Sequence, residues 1–143
     1  MTTVNIYLTF NGNCEEAFTF YKSVFGGEFP YIGKFGDMPD GPGKPTSEED
    51  LRRVMHVSLP ISAETMLMGS DVGGEWSAGF QQGNNFSISI YTNTNEEADR
   101  LYNALAKGGV ASMPMSTTFW NSYFGMLTDK FGISWMLNVE KEN

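Results

Sequence analysis

One pattern is written twice in this chain. Asn13-Cys-Glu-Glu-Ala-Phe-Thr-Phe-Tyr21 returns as Thr94-Asn-Glu-Glu-Ala-Asp-Arg-Leu-Tyr102. At that offset, 96 less 15 or 81 residues, Glu15, Glu16, Ala17, Tyr21 and Gly27 fall on Glu96, Glu97, Ala98, Tyr102 and Gly108. Each copy also follows a strand-like run, Val4–Phe10 and Asn85–Tyr91. A repeat of this kind means one supersecondary unit built twice.

The local chemistry of both copies agrees. Asn13 and Thr94 are favoured N-cap residues, and Glu16 and Glu97 stand three residues on, where a capping box needs an acid. Ala17, Phe18, Tyr21, Val24 and Phe25 recur at helical spacing and make an apolar stripe; Ala98, Leu101, Tyr102 and Leu105 repeat it more sparsely. Gly26-Gly27 and Gly108-Gly109 supply a left-handed stop. Strand-like pieces follow around Glu28–Phe35, Val54–Ile61 and Thr65–Gly69, then around Ala111–Met115, Ser122–Thr128 and Ile133–Val139.

The order is therefore βαβββ twice, an α+β chain. Module one covers about residues 1–75 and module two about 84–143. Half of a chain this size, about 70 residues, buries little surface alone, so the 143 residues are read as a single domain. Gly36–Asp50, rich in Pro, Gly and acid, reads as a long surface loop, and Gly69–Asn84 as a second soft stretch joining the modules.

Charge removes whole classes of partner. Nine Lys and Arg against 17 Asp and Glu leave a net charge of −8, which opposes binding to nucleic acid or to an anionic membrane surface. No run approaches the roughly 20 apolar residues of a membrane span. The first residues lack a basic segment followed by an apolar one, so no export signal is expected. A single cysteine, Cys14, has no disulfide partner within the chain and fits a reducing cytoplasm. A single histidine, His56, excludes His-rich metal sites. G-x-G-x-x-G after a strand, the phosphate-binding G-x-x-x-x-G-K-[ST] and C-x-x-C are all missing.

Three segments carry a family resemblance: Tyr7–Gly27; Val54-Met-His-Val-Ser-Leu59 with Leu67-Met-Gly-Ser-Asp71; and Phe119-Trp120 with Gly125, Asp129-Lys-Phe-Gly132 and Trp135. With the paired βαβββ modules, the chain resembles the PhnB-like branch of the vicinal oxygen chelate (glyoxalase/bleomycin-resistance/dioxygenase) superfamily. That resemblance implies sheets curled around a cup with the helices outside, and a homodimer. It also implies that metal ligands, where relatives use them, project from the first and last strand of each module. Those positions fall at or beside Ile6 and Ser87, near Met66–Met68, and at Met136 or its neighbour. An Ile, a Ser and methionines make no hard oxygen or nitrogen site, so neither a catalytic metal nor another cofactor is expected.

With that geometry, Ile6, Leu8 and Phe10 form an apolar cup wall, and Ser87, Ser89 and Tyr91 a hydroxyl-bearing one. Met68 adds deformable lining. His56, which alternation groups with Val54 and separates from Met55, Val57 and Leu59, is either an acid–base or ligand-binding group in the cup or a half-exposed strand histidine. Trp120 reads as a pocket aromatic and Trp135 as core. Asp71 and Asp129 read as caps for backbone N–H groups. Cys14 stands where a helix terminus lowers a thiol pKa, but it lacks a base and is read as a bystander. The 36–50 loop reads as a mobile lid with Met38 folding inward, or as a passive connection. Such a cup suits a flat, partly aromatic small molecule that the protein binds and sequesters. The alternative is an enzyme, a metal-dependent or His-assisted lyase, isomerase or dioxygenase. The methyltransferase label of this branch is disfavoured, because these modules offer no nucleotide-type cofactor site.

Overall fold

The computed structural model describes residues 2–140, and the chain divides into two compact units, Met1–Gln81 and Gln82–Asn143. The first unit runs β1 (Ile6–Phe10), α1 (Cys14–Phe25), β2 (Tyr31–Lys34), α2 (Glu48–Arg52), β3 (Val54–Pro60) and β4 (Met66–Asp71). Its sheet has the order β1-β4-β3-β2, with β1 parallel to β4 and the other pairs antiparallel. The second unit runs β5 (Ile88–Tyr91), α3 (Asn95–Ala106), β6 (Val110–Thr117), β7 (Ser122–Thr128) and β8 (Ser134–Glu140). Its order, β5-β8-β7-β6 with β5 parallel to β8, is the same path. The repeat in the sequence is thus a repeat of topology. Both sheets are four-stranded, mixed and open at their edges.

Each sheet buries one face under its helix. In the first unit Leu8, Phe10, Val57, Leu59 and Leu67 are buried with Ala17, Phe18, Tyr21 and Val24 of α1. The Phe10 and Phe18 rings meet edge to face at 6.3 Å. Gly69, paired with both Leu8 and Val57, admits the helix this closely: a Cβ there would stand 2.6 Å from Phe18 Cε1 and 2.8 Å from the Leu8 carbonyl. In the second unit Ile88, Leu127, Trp135, Leu137 and Val139 are buried with Ala98, Leu101 and Leu105 of α3.

Buried carboxylates tie the strands to the turns. Gly12 and Cys14 N–H donate to Asp71 Oδ1 at 2.8 and 3.0 Å, and Val54 N–H to Oδ2 at 3.0 Å. Asn13 makes no side-chain cap, so a strand residue does the capping that the sequence assigns to Asn13. Thr94 does cap its helix, accepting from the Glu97 N–H at 3.1 Å. Asp129 holds the β7–β8 turn, accepting from Phe131 and Ile133 N–H, and its other oxygen takes the indole N–H of Trp135 at 2.9 Å.

Two local expectations are corrected. The stretch read as loop up to Asp50 ends in α2, a short helix whose Ser47 hydroxyl accepts from the Asp50 N–H. Val54 and His56 do not share a face. The β2–β3 register slips between Gly33 and Lys34, so Val54 turns inward, 1% exposed, while His56 is only half-buried.

Candidate functional site

Residues paired across a sheet point to the same side. Opposite the α1 side, the first sheet carries the row Tyr7, Met68, Ser58, Tyr31, and beside it Thr9 with Ser70, and His56 with Gly33. The helix covers the other face, so this one is open. Gly33 makes room for aromatic packing: a Cβ there would collide with the Tyr31 hydroxyl and sit 2.8 Å from its Cζ. Tyr31 therefore lies over Gly33 toward His56, with ring centroids 5.9 Å apart. Tyr7 flanks the imidazole from the other side at 5.7 Å, and its hydroxyl stands 3.3 Å from His56 Nδ1. If Tyr7 donates to a neutral Nδ1, Nε2–H is left to donate; a protonated imidazole would instead donate to Tyr7.

Next to this aromatic cluster is a cavity of about 640 Å³. Thr9 and Ser70 of the open face form its floor, with Phe35, Lys44, Pro45 and Val72 among its walls. The 38–47 segment over it is tied down at both ends. Lys34 N–H donates to Asp37 Oδ2 at 2.9 Å, and Gly74 N–H donates to Asp50 Oδ2 at 3.1 Å. Arg53 Nη1 donates to Asn11 Oδ1 at 2.9 Å and to the Val72 carbonyl at 2.7 Å. Gly43, Lys44 and Pro45 line the space; Met38, the residue expected to fold inward, does not.

The expected apolar wall is corrected. Leu8 and Phe10 are 3% and 4% exposed, and with Ile6 they lie on the α1 side, out of reach of a ligand on the open face. His56 and Met68 do lie on the open face, joined by Tyr7, Thr9, Tyr31 and Ser70, which the sequence reading passed over. The missed signal was available. The α1 stripe must bury itself against an apolar sheet face, and on β1 the apolar parity is Ile6, Leu8 and Phe10, which leaves Tyr7 and Thr9 outward.

In the second unit Ser89 pairs with Met136, and Tyr91 with Asn138; Met113, Met126 and Met136 complete one row. Asn138 Nδ2 donates to Ser89 Oγ at 3.0 Å. Ser87 is exposed and precedes β5. Trp120 is half-exposed on the β6–β7 turn, edge to face with Phe119 at 4.9 Å and with Phe124 at 5.8 Å. The open faces of the two units thus differ, one with tyrosines around an imidazole, the other with methionines and small polar groups.

Burial and the Asp71 and Glu15 carboxylates push the Cys14 thiol well above its ordinary pKa, the opposite of what its place at a helix start predicts. A thiol held protonated is no nucleophile. Nor do these faces fit a hard divalent cation. Among the described residues no three His, Cys, Asp or Glu side chains converge, and the open faces offer one imidazole, hydroxyls and thioethers.

Paired units with this strand order define the vicinal oxygen chelate class. A glyoxalase/bleomycin resistance protein from Albidiferax ferrireducens T118 shares the fold, with a TM-score of 0.59 at 14% identity over 96% of this chain and 97% of that one. Within the class, residues 2–138 match the sequence model of the family described as 3-demethylubiquinone-9 3-methyltransferase, and the chain belongs to that family, the PhnB-like branch. It is 32% identical to protein YjdN of Escherichia coli (strain K12), covering 95% of this chain and 94% of that protein. The crystal structure of PA1353 from Pseudomonas aeruginosa superposes with a TM-score of 0.84 at 38% identity, over 99% and 100% of the two chains. A PhnB protein from Bacillus cereus, described as a putative 3-demethylubiquinone-9 3-methyltransferase, follows at 0.73 and 29%, over 96% and 99%.

Proposed function

We propose that this protein binds and sequesters a flat, partly aromatic small molecule on the open face of the first unit, without a catalytic metal. The observation that carries the reading is the Tyr7–His56–Tyr31 ring cluster on the open face, where Thr9 and Ser70 of the same face line the 640 Å³ cavity. Rings exposed on a sheet offer stacking area at low entropic cost, and His56 and the hydroxyls supply orienting hydrogen bonds. The net charge of −8 speaks against nucleic acid and anionic membrane surfaces as partners. Methyl transfer has little support, since neither sheet has the successive parallel strands and glycine-rich turn of a nucleotide-type cofactor site. The reading includes a homodimer and a reducing, cytoplasmic setting, the latter because the lone Cys14 has no disulfide partner in the chain.

A thermal-shift screen of planar aromatic compounds tests it. Some should raise the melting temperature of the native protein, and Tyr7→Ala or Tyr31→Ala should abolish the rise. A panel without any hit, or hits indifferent to both substitutions, would contradict the reading.

The Tyr7–His56 contact favours a second reading, an enzyme that uses this pair for general acid–base chemistry. Turnover of a ligand found in the screen, lost in His56→Gln with binding retained, would replace sequestration by catalysis.

A further inference from the structure

The site described above leaves the charge of its ligand open, and the cavity end of it bears on that question. Lys44 is the cationic group in the cavity wall, its side chain only 20% exposed. Its ammonium is 3.0 Å from Asp40 Oδ1, but Asp40 is fully exposed, so its carboxylate remains in water and the pair is weak and exchangeable. Two other cations of the unit, Arg53 and Lys34, are engaged elsewhere. Arg53 is bound to Asn11 and Val72 and faces Glu49 and Asp50, and Lys34 faces Glu15.

The one acid of the wall does not oppose an anion from close range. Both oxygens of Asp71 are taken up by the N–H groups of Gly12, Cys14 and Val54, and Asp71 pairs with Phe10 on the α1 side of the sheet. On the cavity side, Thr9 and Ser70 present hydroxyls from adjacent strands. Phe35 and Pro45 offer apolar surface to the rest of a ligand.

We propose that Lys44 anchors an anionic group of the ligand, a carboxylate or sulfonate, with Thr9 and Ser70 as further donors and the ring system directed toward Tyr7, His56 and Tyr31. The proposal rests on the small-molecule reading above and names the ligand class: an aromatic organic anion. Dimensions agree. Thr9 follows Tyr7 by two residues on one strand face, about 7 Å, the length of a one- or two-ring body. Exchange of Asp40 for the ligand's anion keeps the ammonium paired throughout, so binding buries no uncompensated charge.

Two dyes with one aromatic body separate this proposal from the reading beneath it. 8-Anilinonaphthalene-1-sulfonate carries an anion; N-phenyl-1-naphthylamine does not. Binding of both to the native protein is followed by fluorescence titration. The anionic dye should bind more tightly, and Lys44→Met should weaken it about tenfold while changing the neutral dye less than about twofold. Lys44→Arg should restore the anionic dye, and Asp40→Asn, which removes the competing carboxylate, should tighten it. Trp120→Ala should affect neither.

Equal affinities for both dyes, unchanged by Lys44→Met, would overturn the anionic anchor and leave the aromatic site standing. Failure of both dyes to bind, or loss of both in Trp120→Ala, would overturn the site itself and the anchor with it.

Discussion

Asp71 is 4% exposed, and three backbone N–H groups from two separate segments converge on it. Removing it leaves those donors buried without partners, which costs far more than the net worth of the bonds. Asp71→Ala should therefore lower stability by about 3–5 kcal/mol in urea unfolding, and Asp71→Asn, which keeps one acceptor oxygen, by about half of that. A loss below about 1 kcal/mol for Asp71→Ala would contradict the capping role.

Cys14 makes a pH prediction of definite sign. Its folded pKa is raised above the ordinary 9.0, so its contribution to stability is fully present below pH 9. Above pH 9 the unfolded chain releases the proton and the folded chain keeps it, so stability falls, by up to about 1.4 kcal/mol per pH unit from this group. Urea unfolding at pH 8, 9 and 10 should show a steeper decline for the native sequence than for Cys14→Ala. Parallel slopes would show that the thiol is not held protonated by the fold.

At the scale of elements, both long helices were legible because the acidic first turn, the stripe and the glycine stop agreed, although Asn13 does not cap α1, and α1 and α3 fill Cys14–Phe25 and Asn95–Ala106. Strand β7 was legible to the residue, Ser122–Thr128. Helix α2 was hidden by its length; five residues carry no readable periodicity, although Ser47 followed by Glu48, Glu49 and Asp50 is a capping signal. The face of β1 was misread for a different reason. The 81-residue offset aligns the helices but not the strand parities: Phe10 is buried under α1, whereas Tyr91, its counterpart, is 64% exposed. A period-2 element tolerates no such transfer, because one residue of slip exchanges its faces. Tyr31 was invisible as a site residue because its place beside His56 depends on the space over Gly33 and on the pairing of β2 with β3, which no local pattern encodes.

Gly33 gives the element-scale prediction. A methyl group there must displace Tyr31, whose side chain is half-exposed and has room to swing away. Gly33→Ala should then change stability by less than about 1 kcal/mol while weakening binding of aromatic ligands several-fold. Unchanged affinity would mean that Tyr31 takes no part in the site.

At the scale of the molecule, two units of like topology have open faces of unlike chemistry. Topology was legible in the repeat; the division of chemistry between the units was not, since it depends on which parity each helix covers. Phe119, Trp120, Tyr91 and Met113 of the second unit are exposed apolar residues, and the proposed homodimer is tested on them. Sedimentation at micromolar concentration should give a species of twice 15.9 kDa, and Trp120→Asp should shift it toward monomer. A monomer in the native protein would remove the dimer and leave the ligand site of the first unit untouched.

Where an aromatic ligand sits decides whether the open face of the first unit is the binding site. Amide chemical-shift mapping by NMR of the full chain, titrated with 8-anilinonaphthalene-1-sulfonate, reads this directly. The largest perturbations should fall at Tyr7, Thr9, Tyr31, Lys44, His56 and Ser70. Perturbations confined to Ser89, Tyr91, Trp120 and their neighbours, with the first unit silent, would contradict it.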